Sequence, residues 1–212
     1  MTVNLKIDNG VYLVINPEMD FEKLNTQLMK IQDAELCAIQ IWNNFRRLSK
    51  NQIHDIFHLI FDIFKEKQIP ILINNRWEYL IEYPFYGVHF DLFPNDLEGI
   101  VDKIGRPFLK GLTLNNDLSM VSKAEGSQFD YLSFCSLFPS STSNSCEIVH
   151  FDSIKKCREI TDIPIFLAGG ITPQNMSLVG DLNYNGIAVV AGIMDAENPV
   201  EQLAKYASQI KY

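Results

Sequence analysis

Hydrophobic residues along this chain gather into short continuous runs, and each run is followed by a segment in which they recur every three or four positions. A continuous run is typical of a strand covered on both faces, whereas the wider spacing is typical of an amphipathic helix. The runs predict strands at Val11–Ile15, Leu36–Trp42, Ile69–Ile73, Tyr86–Phe90, Pro107–Leu114, Asp130–Phe134, Ile163–Ala168 and Gly186–Val190. The segments after them predict helices at Phe21–Ile31, Asn51–Lys67, Trp77–Glu82, Asn95–Lys103, Ser119–Glu125, Phe151–Thr161, Pro173–Val179 and Val200–Ile210.

The segment Asn51–Lys67 has the strongest helical pattern. Ser49 stands where an N-cap residue is expected. His54, Asp55 and His58 have the spacing of a metalloprotease helix, but they lie opposite the apolar stripe and are therefore predicted to face solvent rather than to bind a metal. The stripe itself consists of Ile53, Ile56, Phe57, Ile60, Phe61 and Phe64.

Eight strand–helix units in succession predict a parallel sheet, because parallel strands need crossover helices that cover both faces. Eight such units close into a (β/α)8 TIM barrel, and we expect residues 1–212 to form a single barrel domain. A doubly wound open sheet is the alternative, although it more often contains fewer strands.

Two glycine-containing turns follow the last two predicted strands. Gly169 and Gly170 end the seventh strand, and Ala191 and Gly192 follow the eighth. Strand-to-helix turns of this kind expose backbone N–H groups that favour an anion, and the last two units of many barrels hold a phosphate between them. The turns therefore predict a phosphate site, with a purely structural tight turn as the alternative.

Composition limits the classes of partner. The chain has 212 residues, of which 47% are hydrophobic, and a net charge of −8, which argues against a nucleic-acid or anionic-membrane surface. No apolar run approaches the length of a membrane helix, and residues 1–10 lack the pattern of a signal peptide. The four cysteines have no CxxC spacing, which favours reduced thiols in a cytoplasmic protein.

Functional residues of such a barrel are expected at the C-terminal ends of the strands and in the loops that follow. These positions are rich in amides, hydroxyls and glycines and poor in charge, a set that suits a heteroaromatic ring and a monophosphate better than a magnesium diphosphate. They are Gln40, Trp42, Asn44, Asn74, Asn75, Arg76, His89, Asp91, Thr113, Asn115, Ser136, Ser140, Thr142, Gly169, Gly170, Ala191 and Gly192.

These strand ends carry a family resemblance. The chain resembles the thiamine-phosphate synthases and the related thiazole tautomerases, which are barrels of this length. The motifs that carry the likeness are Ile73–Arg76, Gly87–His89, Asp130–Tyr131, Phe138–Thr142, Ala168–Thr172 and Gly186–Val190. No single motif is decisive, but their order and spacing match together.

The resemblance implies a transferase of thiamine biosynthesis that joins an aminopyrimidine diphosphate to a thiazole phosphate and releases diphosphate with the help of Mg²⁺. It implies that Gln40 and Asn74 contact pyrimidine and diphosphate, and that Thr113 takes the place of a serine near the diphosphate. Ser140 and Thr142 match two threonines in a loop that contacts the thiazole. The thiazole phosphate would bind at Gly169, Gly170, Ala191 and Gly192.

The chain departs from the family where diphosphate and metal would bind. The family's strand-two motif Gln-Leu-Arg-Glu-Lys is here the segment 40–44, which lacks the arginine and the lysine. The family has two aspartates that bind the metal; Asn75 stands at the position of the first and about Pro94 at that of the second. The family's lysine in the loop after strand six is replaced by Ser143. Since each change removes a charge, the family's dependence on Mg²⁺ is in doubt for this chain.

Several nearby residues are candidate substitutes for the lost charges. Arg46, Arg47 and Arg76 could replace cations, and Asp91 and Asp96 bracket the lost metal aspartate. The tautomerase branch fits less well, because its histidine in the loop after strand five is here Asn115.

Three further residues have both a chemical and a structural interpretation. His89 can be a base, a substrate contact or a histidine packed in the barrel mouth. Trp42 can stack on a planar ring or fill the space of the lost arginine, and Cys135, without a paired histidine, is not expected to be a nucleophile. The run Ser140–Ser145 can be a lid or an ordinary solvated loop.

Two functions follow. The first is a thiamine-phosphate synthase with a divergent diphosphate half; the second is a barrel that binds a thiazole phosphate or a similar monophosphate without magnesium–diphosphate chemistry. Both have phosphorylated small molecules as partners, and the sequence leaves open whether the chain forms a homo-oligomer.

Overall fold

A computed structural model describes residues 6–139 and 147–210. Eight parallel strands form a closed barrel in which each strand pairs with the next along the chain and the eighth pairs with the first. The strands are β1 (Gly10–Ile15), β2 (Ala38–Ile41), β3 (Ile71–Asn74), β4 (Gly87–Phe90), β5 (Leu109–Leu114), β6 (Tyr131–Cys135), β7 (Ile165–Ala168) and β8 (Gly186–Val189). The prediction of a (β/α)8 barrel is confirmed, and the open sheet is excluded.

Helices follow the strands and cover the outside of the barrel. They are α1 (Phe21–Ile31), α2 (Lys50–Phe64), α3 (Tyr79–Glu82), α4 (Leu97–Ile104), α5 (Val121–Gly126), α6 (Phe151–Ile160), α7 (Ala191–Met194) and α8 (Pro199–Ala207). Most boundaries lie within one or two residues of the predicted ones. None of the helices in the described ranges is long and apolar enough to cross a bilayer.

The segment after β7 differs from the prediction of a helix at Pro173–Val179. The side chain of Asn175 accepts from the Thr172 amide at 2.8 Å and donates to the Gly170 carbonyl at 2.9 Å. These bonds close a tight turn, so that only a 3₁₀ helix at Met176–Val179 follows. The short helix α7 was not predicted, because four residues are too few to show a helical period.

Helix α2 has the N-cap and the solvent-exposed face that its sequence predicts. Ser49 Oγ accepts from the Gln52 amide at 3.3 Å, and Gln52 Oε1 accepts from the Ser49 amide at 2.9 Å, which completes a capping box. His54 and His58 are exposed, as expected, with ring centroids 4.2 Å apart. The Nδ1 atom of His54 lies 3.0 Å from the hydroxyl of Tyr83.

Side chains of the strands alternate between two apolar layers. In β1, residues 11, 13 and 15 pack outward against the helices, whereas Tyr12 and Val14 belong to a smaller cluster that fills the barrel interior. The rings of Tyr12, Tyr131 and Phe166 meet edge to face in this cluster, with centroids 5.6 to 5.8 Å apart. Such aromatic pairs stabilise a core beyond the area they bury.

Glycine makes room for one of these rings. A Cβ atom on Gly111 of β5 would lie 2.1 Å from Cζ of Tyr131 on the neighbouring strand. The ring of Tyr131 can therefore cross the barrel interior only because residue 111 has no side chain.

Candidate active site

Polar side chains enter the apolar barrel interior near the C-terminal ends of the strands. Gln40, Asn74, His89, Ser133 and Ser136 are all buried. Buried polar groups must be hydrogen-bonded to be tolerated, and no buried side-chain nitrogen or oxygen of the described residues lacks a partner. These residues therefore form an ordered polar floor.

One hydrogen-bonded chain crosses this floor through five strands. Tyr12 Oη on β1 donates to Gln40 Oε1 on β2 at 2.8 Å and lies 2.8 Å from Tyr131 Oη on β6. The hydroxyl of Tyr131 lies 2.9 Å from Nδ1 of His89 on β4, whose Nε2 lies 2.8 Å from Thr113 Oγ1 on β5. The chain thus joins two of the predicted substrate residues, Gln40 and Thr113.

Burial keeps the members of this chain neutral. Desolvation lowers the pKa of His89 from 6.5 to about 4, and the nearby Asp91 opposes that shift only in part. Desolvation also raises the pKa of Tyr12 and of Tyr131 well above the usual value of tyrosine. At neutral pH the floor therefore contains an uncharged imidazole and two uncharged phenols.

A second cluster lies where β3 and β4 end. The side-chain amides of Asn74 and Asn75 donate to the two oxygens of Asp91 at 2.8 and 2.7 Å, and Asn75 Oδ1 accepts from the Asp91 amide at 2.9 Å. Asn75 has a φ of 57°, a left-handed conformation that asparagine tolerates better than most residues. Asp91 is thereby fixed at the mouth of the barrel.

The residues that stand where the resemblance implies cations after β2 are engaged in other contacts. Trp42 packs against the interior cluster of the barrel. The side chain of Asn44 donates to Asn16 Oδ1 at 3.0 Å, and the Asn43 amide donates to Asn74 Oδ1 at 3.3 Å. The loop is held by neutral hydrogen bonds and presents no charge of its own at these three positions.

The arginines considered as substitutes are exposed. The Arg47 amide donates to Glu18 Oε1 at 2.8 Å, and its guanidinium Nε lies 3.9 Å from Glu18 Oε2. Arg46 and Arg76 are exposed on the loops after β2 and β3. None of the three makes a described contact with the polar floor.

The two aspartates predicted as metal ligands are each engaged by other protein groups. Asp96 is the N-cap of α4 and accepts from the Gly99 amide at 3.0 Å, while both oxygens of Asp91 accept asparagine amides. Within the described ranges, no group of three or more histidine, cysteine, aspartate or glutamate side chains is arranged to hold a metal ion. Because Asp96 caps α4 and Asp91 accepts from two asparagines, the donor set does not fit the two-carboxylate magnesium site that the resemblance implies.

The turn after β7 has the features of an anion site. Gly169 and Gly170 have φ values of 87° and 66°, which only glycine adopts without strain. A Cβ atom would lie 2.0 Å from Ser136 Oγ at Gly169 and 2.7 Å from the Phe138 carbonyl at Gly170. In the described part of the chain, the Gly170 amide donates to no protein acceptor, so it can bind an anion.

Tyr206 of α8 joins this turn to the one after β8. Its hydroxyl donates to the Ile171 carbonyl at 3.1 Å. The same oxygen would lie 2.2 Å from a Cβ atom on Gly192. The two turns predicted to bind one phosphate thus pack on a common side chain, and Ala191 begins α7 beside them.

The other predicted loop residues divide into two groups. Ser140 and Thr142, together with Ser143 and the rest of the proposed lid, lie outside the described residues. Cys135 is the last residue of β6, and its neighbour Ser136 donates from Oγ to the Phe138 carbonyl at 2.9 Å.

Sequence reasoning gave no role to Tyr12, Tyr131 or Tyr206, although Tyr131 belongs to a motif of the family resemblance. Candidate site residues were taken from the C-terminal ends of the strands, whereas Tyr12 lies within its strand and Tyr131 at the beginning of its own. A usable signal was present in β1, since a tyrosine in an otherwise aliphatic run needs a buried partner for its hydroxyl. The sequence gives no such signal for Tyr206.

Comparisons with known proteins identify the family of this chain. The profile of the family described as thiamine monophosphate synthase matches residues 11–193. A thiamine-phosphate synthase of Methanobrevibacter smithii is 26% identical over 196 residues, which cover 91% of each chain. One of Alkaliphilus oremlandii is 24% identical over 212 residues and the full length of both chains.

A solved structure has the same fold. The thiamine phosphate pyrophosphorylase of Pyrococcus furiosus superposes with a TM-score of 0.81 at 19% identity, over 97% of each chain. At that identity the superposition shows the barrel alone.

Proposed function

The chain belongs to the thiamine monophosphate synthase family, and on that premise we propose that it joins an aminopyrimidine diphosphate to a thiazole phosphate. The carbon–oxygen bond to diphosphate breaks, the pyrimidine cation forms, and the thiazole nitrogen supplies the electron pair of the new carbon–nitrogen bond. Diphosphate is the leaving group.

The observation that carries the proposal is that one end of the barrel contains both a neutral polar floor and a glycine turn suited to an anion. Gln40, His89 and Thr113 lie in the floor, and Gly169 and Gly170 form the turn. Uncharged donors and acceptors suit an aminopyrimidine ring, and their neutrality avoids repulsion of a cation that forms above them. Backbone N–H groups suit the phosphate of the thiazole.

Magnesium takes no part in the steps proposed for the protein's own residues. The relatives' chemistry uses Mg²⁺. In this chain, however, the carboxylate of Asp91 at the barrel mouth accepts a hydrogen bond from an asparagine, and the carboxylate of Asp96 caps a helix. Any Mg²⁺ in the reaction would have to bind chiefly through the diphosphate, which is how the ion binds at many phosphate sites.

The proposal takes both substrates as free phosphorylated small molecules and places the protein in the cytoplasm. The net charge of −8 supports the absence of nucleic-acid and anionic-membrane partners.

The test is an assay of the purified protein with aminopyrimidine diphosphate, thiazole phosphate and Mg²⁺, in which thiamine phosphate is measured by mass spectrometry. We expect turnover that Gly170→Ala reduces, because the new methyl group would lie 2.7 Å from the Phe138 carbonyl. Gly126→Ala is the matched control, since a Cβ atom there meets nothing within 4 Å. Absence of thiamine phosphate from the wild-type reaction would refute the proposal.

A second candidate function is favoured by the loss of cations after β2. With Trp42 packed against the interior cluster and Asn44 bonded to Asn16, the diphosphate half has neutral residues where the family has charge. This barrel would bind a thiazole phosphate or a similar monophosphate without the synthase reaction. It predicts that thiazole phosphate raises the melting temperature while magnesium diphosphate does not; equal stabilisation by both contradicts it.

A further inference from the structure

The side chains that link Gln40 to Thr113 form four hydrogen bonds in series, with one proton available for each bond. The direction of the first bond therefore determines the direction of the others. Tyr12 donates its only O–H to Gln40 Oε1. In the contact between Tyr12 and Tyr131, the donor is therefore Tyr131. The O–H of Tyr131 is then used, so it can only accept from His89.

The same reasoning fixes the tautomer of the imidazole. Nδ1 of His89 must carry the proton, because it faces the Tyr131 oxygen at 2.9 Å. A neutral imidazole has one N–H, so Nε2 is an acceptor and Thr113 donates its hydroxyl proton to it across 2.8 Å. The lowered pKa of His89 supports the neutral form.

The two end residues of this hydrogen-bonded chain, Gln40 and Thr113, therefore have fixed donor and acceptor roles toward the barrel mouth. Oε1 of Gln40 is occupied by Tyr12, while Nε2 makes no bond to a described residue. Because no buried nitrogen of the described residues lacks a partner, Nε2 reaches open space and can donate to a ligand. The hydroxyl proton of Thr113 is donated to His89, so the Thr113 oxygen can only accept a hydrogen bond from a ligand.

We propose that the tyrosine pair Tyr12–Tyr131 is a positioning device that makes Gln40 a donor and Thr113 an acceptor toward an aminopyrimidine ring. This inference rests on the proposed function. An aminopyrimidine has the complementary groups, because its ring nitrogens accept and its exocyclic amino group donates. It also follows that Thr113 does not donate to a diphosphate oxygen, unlike the role that the family resemblance implies for this position.

An oxopyrimidine of the same shape has the opposite polarity, because its oxygen accepts and a ring N–H donates. The device thus selects amino- over oxopyrimidine, and Tyr131→Phe removes the selection by interrupting the chain at its centre. Phe166→Leu is the matched control, since Phe166 packs against both tyrosine rings without a hydrogen bond to either.

The experiment measures the binding of the two pyrimidine alcohols, which lack diphosphate, by calorimetry. For the wild-type protein and for Phe166→Leu we expect at least about tenfold preference for the aminopyrimidine, a ratio typical of one hydrogen bond. For Tyr131→Phe we expect the ratio to fall toward one. An unchanged ratio in Tyr131→Phe, or an equal loss in Phe166→Leu, overturns the proposal.

A ¹⁵N spectrum of the histidine side chains tests the device without any substrate. His89 should show a protonated Nδ1 and an unprotonated Nε2, identified by the signals that His89→Gln removes. A protonated Nε2 overturns the device whatever the protein binds. If the wild-type protein binds neither alcohol while the tautomer is as expected, the ligand assignment is refuted. The proposed function fails separately, when the wild-type reaction yields no thiamine phosphate.

Discussion

The hydroxyl of Tyr206 occupies the space that a side chain at Gly192 would need, since an added Cβ atom would lie 2.2 Å from that oxygen. The same hydroxyl donates to the Ile171 carbonyl in the turn after β7. Helix α8 therefore couples the two turns at which we expect the thiazole phosphate to bind.

We expect Gly192→Ala to displace the Tyr206 hydroxyl and to raise the KM for thiazole phosphate about tenfold, which corresponds to one lost hydrogen bond. In a Tyr206→Phe background the clashing oxygen is absent, and the nearest ring carbon lies 3.2 Å away. The same glycine change should then have less than half its effect. Equal effects in the two backgrounds would show that the clash is not the cause.

Gly170→Ala should destabilise the fold as well as the site. The residue has a φ of 66°, and a new methyl group would lie 2.7 Å from the Phe138 and Pro139 carbonyls, so a loss of about 1–3 kcal/mol is expected. Urea unfolding measures it. Gly126→Ala, at the end of α5 with open space around it, should be neutral or slightly stabilising. Equal losses in both variants would contradict this account.

His89 should make the protein less stable as the pH falls. Its pKa is about 4 in the folded state and 6.5 as the reference, so between these values the unfolded chain binds more protons and stability decreases toward low pH. The full difference corresponds to about 3 kcal/mol, present above pH 6.5 and lost near pH 4. Urea unfolding at several pH values should show a shallower decline for His89→Gln than for the wild-type protein. Parallel curves would argue against a depressed pKa.

Asn75→Asp introduces a carboxylate at a position where the family resemblance implies one. The present amide of Asn75 donates to Asp91 Oδ2 at 2.7 Å, so the change replaces a hydrogen bond with repulsion between two carboxylates. We expect a lower melting temperature without Mg²⁺ and recovery when millimolar Mg²⁺ is added, because the ion can bridge two carboxylates. Magnesium alone should leave the wild-type melting temperature unchanged. Equal shifts in both proteins would mean that the wild-type site already holds the ion.

The barrel itself could be predicted from the sequence, because the strands and helices that form it are specified by local patterns of apolar residues. Continuous apolar runs such as Val11–Ile15 must be covered on both faces, and amphipathic segments such as Asn51–Lys67 provide the cover. The glycine turn after β7 could also be predicted, since Gly169 and Gly170 interrupt the pattern at a strand end, and its binding of a phosphate stays a prediction. The helix predicted near Pro173–Val179 is replaced by a turn and a shorter 3₁₀ helix at Met176–Val179, because the side chain of Asn175 closes the turn.

The sequence by itself therefore determined the order of the elements, the closed barrel and the position of the glycine turn after β7. Only the tertiary structure decided which polar side chains meet. Tyr12 and Tyr131 are 119 positions apart, and their contact depends on barrel closure, on strand register and on the space left by Gly111. The hydrogen bonds that Asp91 accepts from Asn74 and Asn75 likewise depend on the register between β3 and β4. A local pattern fixes which face of a strand is apolar, whereas the pairing of side chains across a barrel is set by the whole fold.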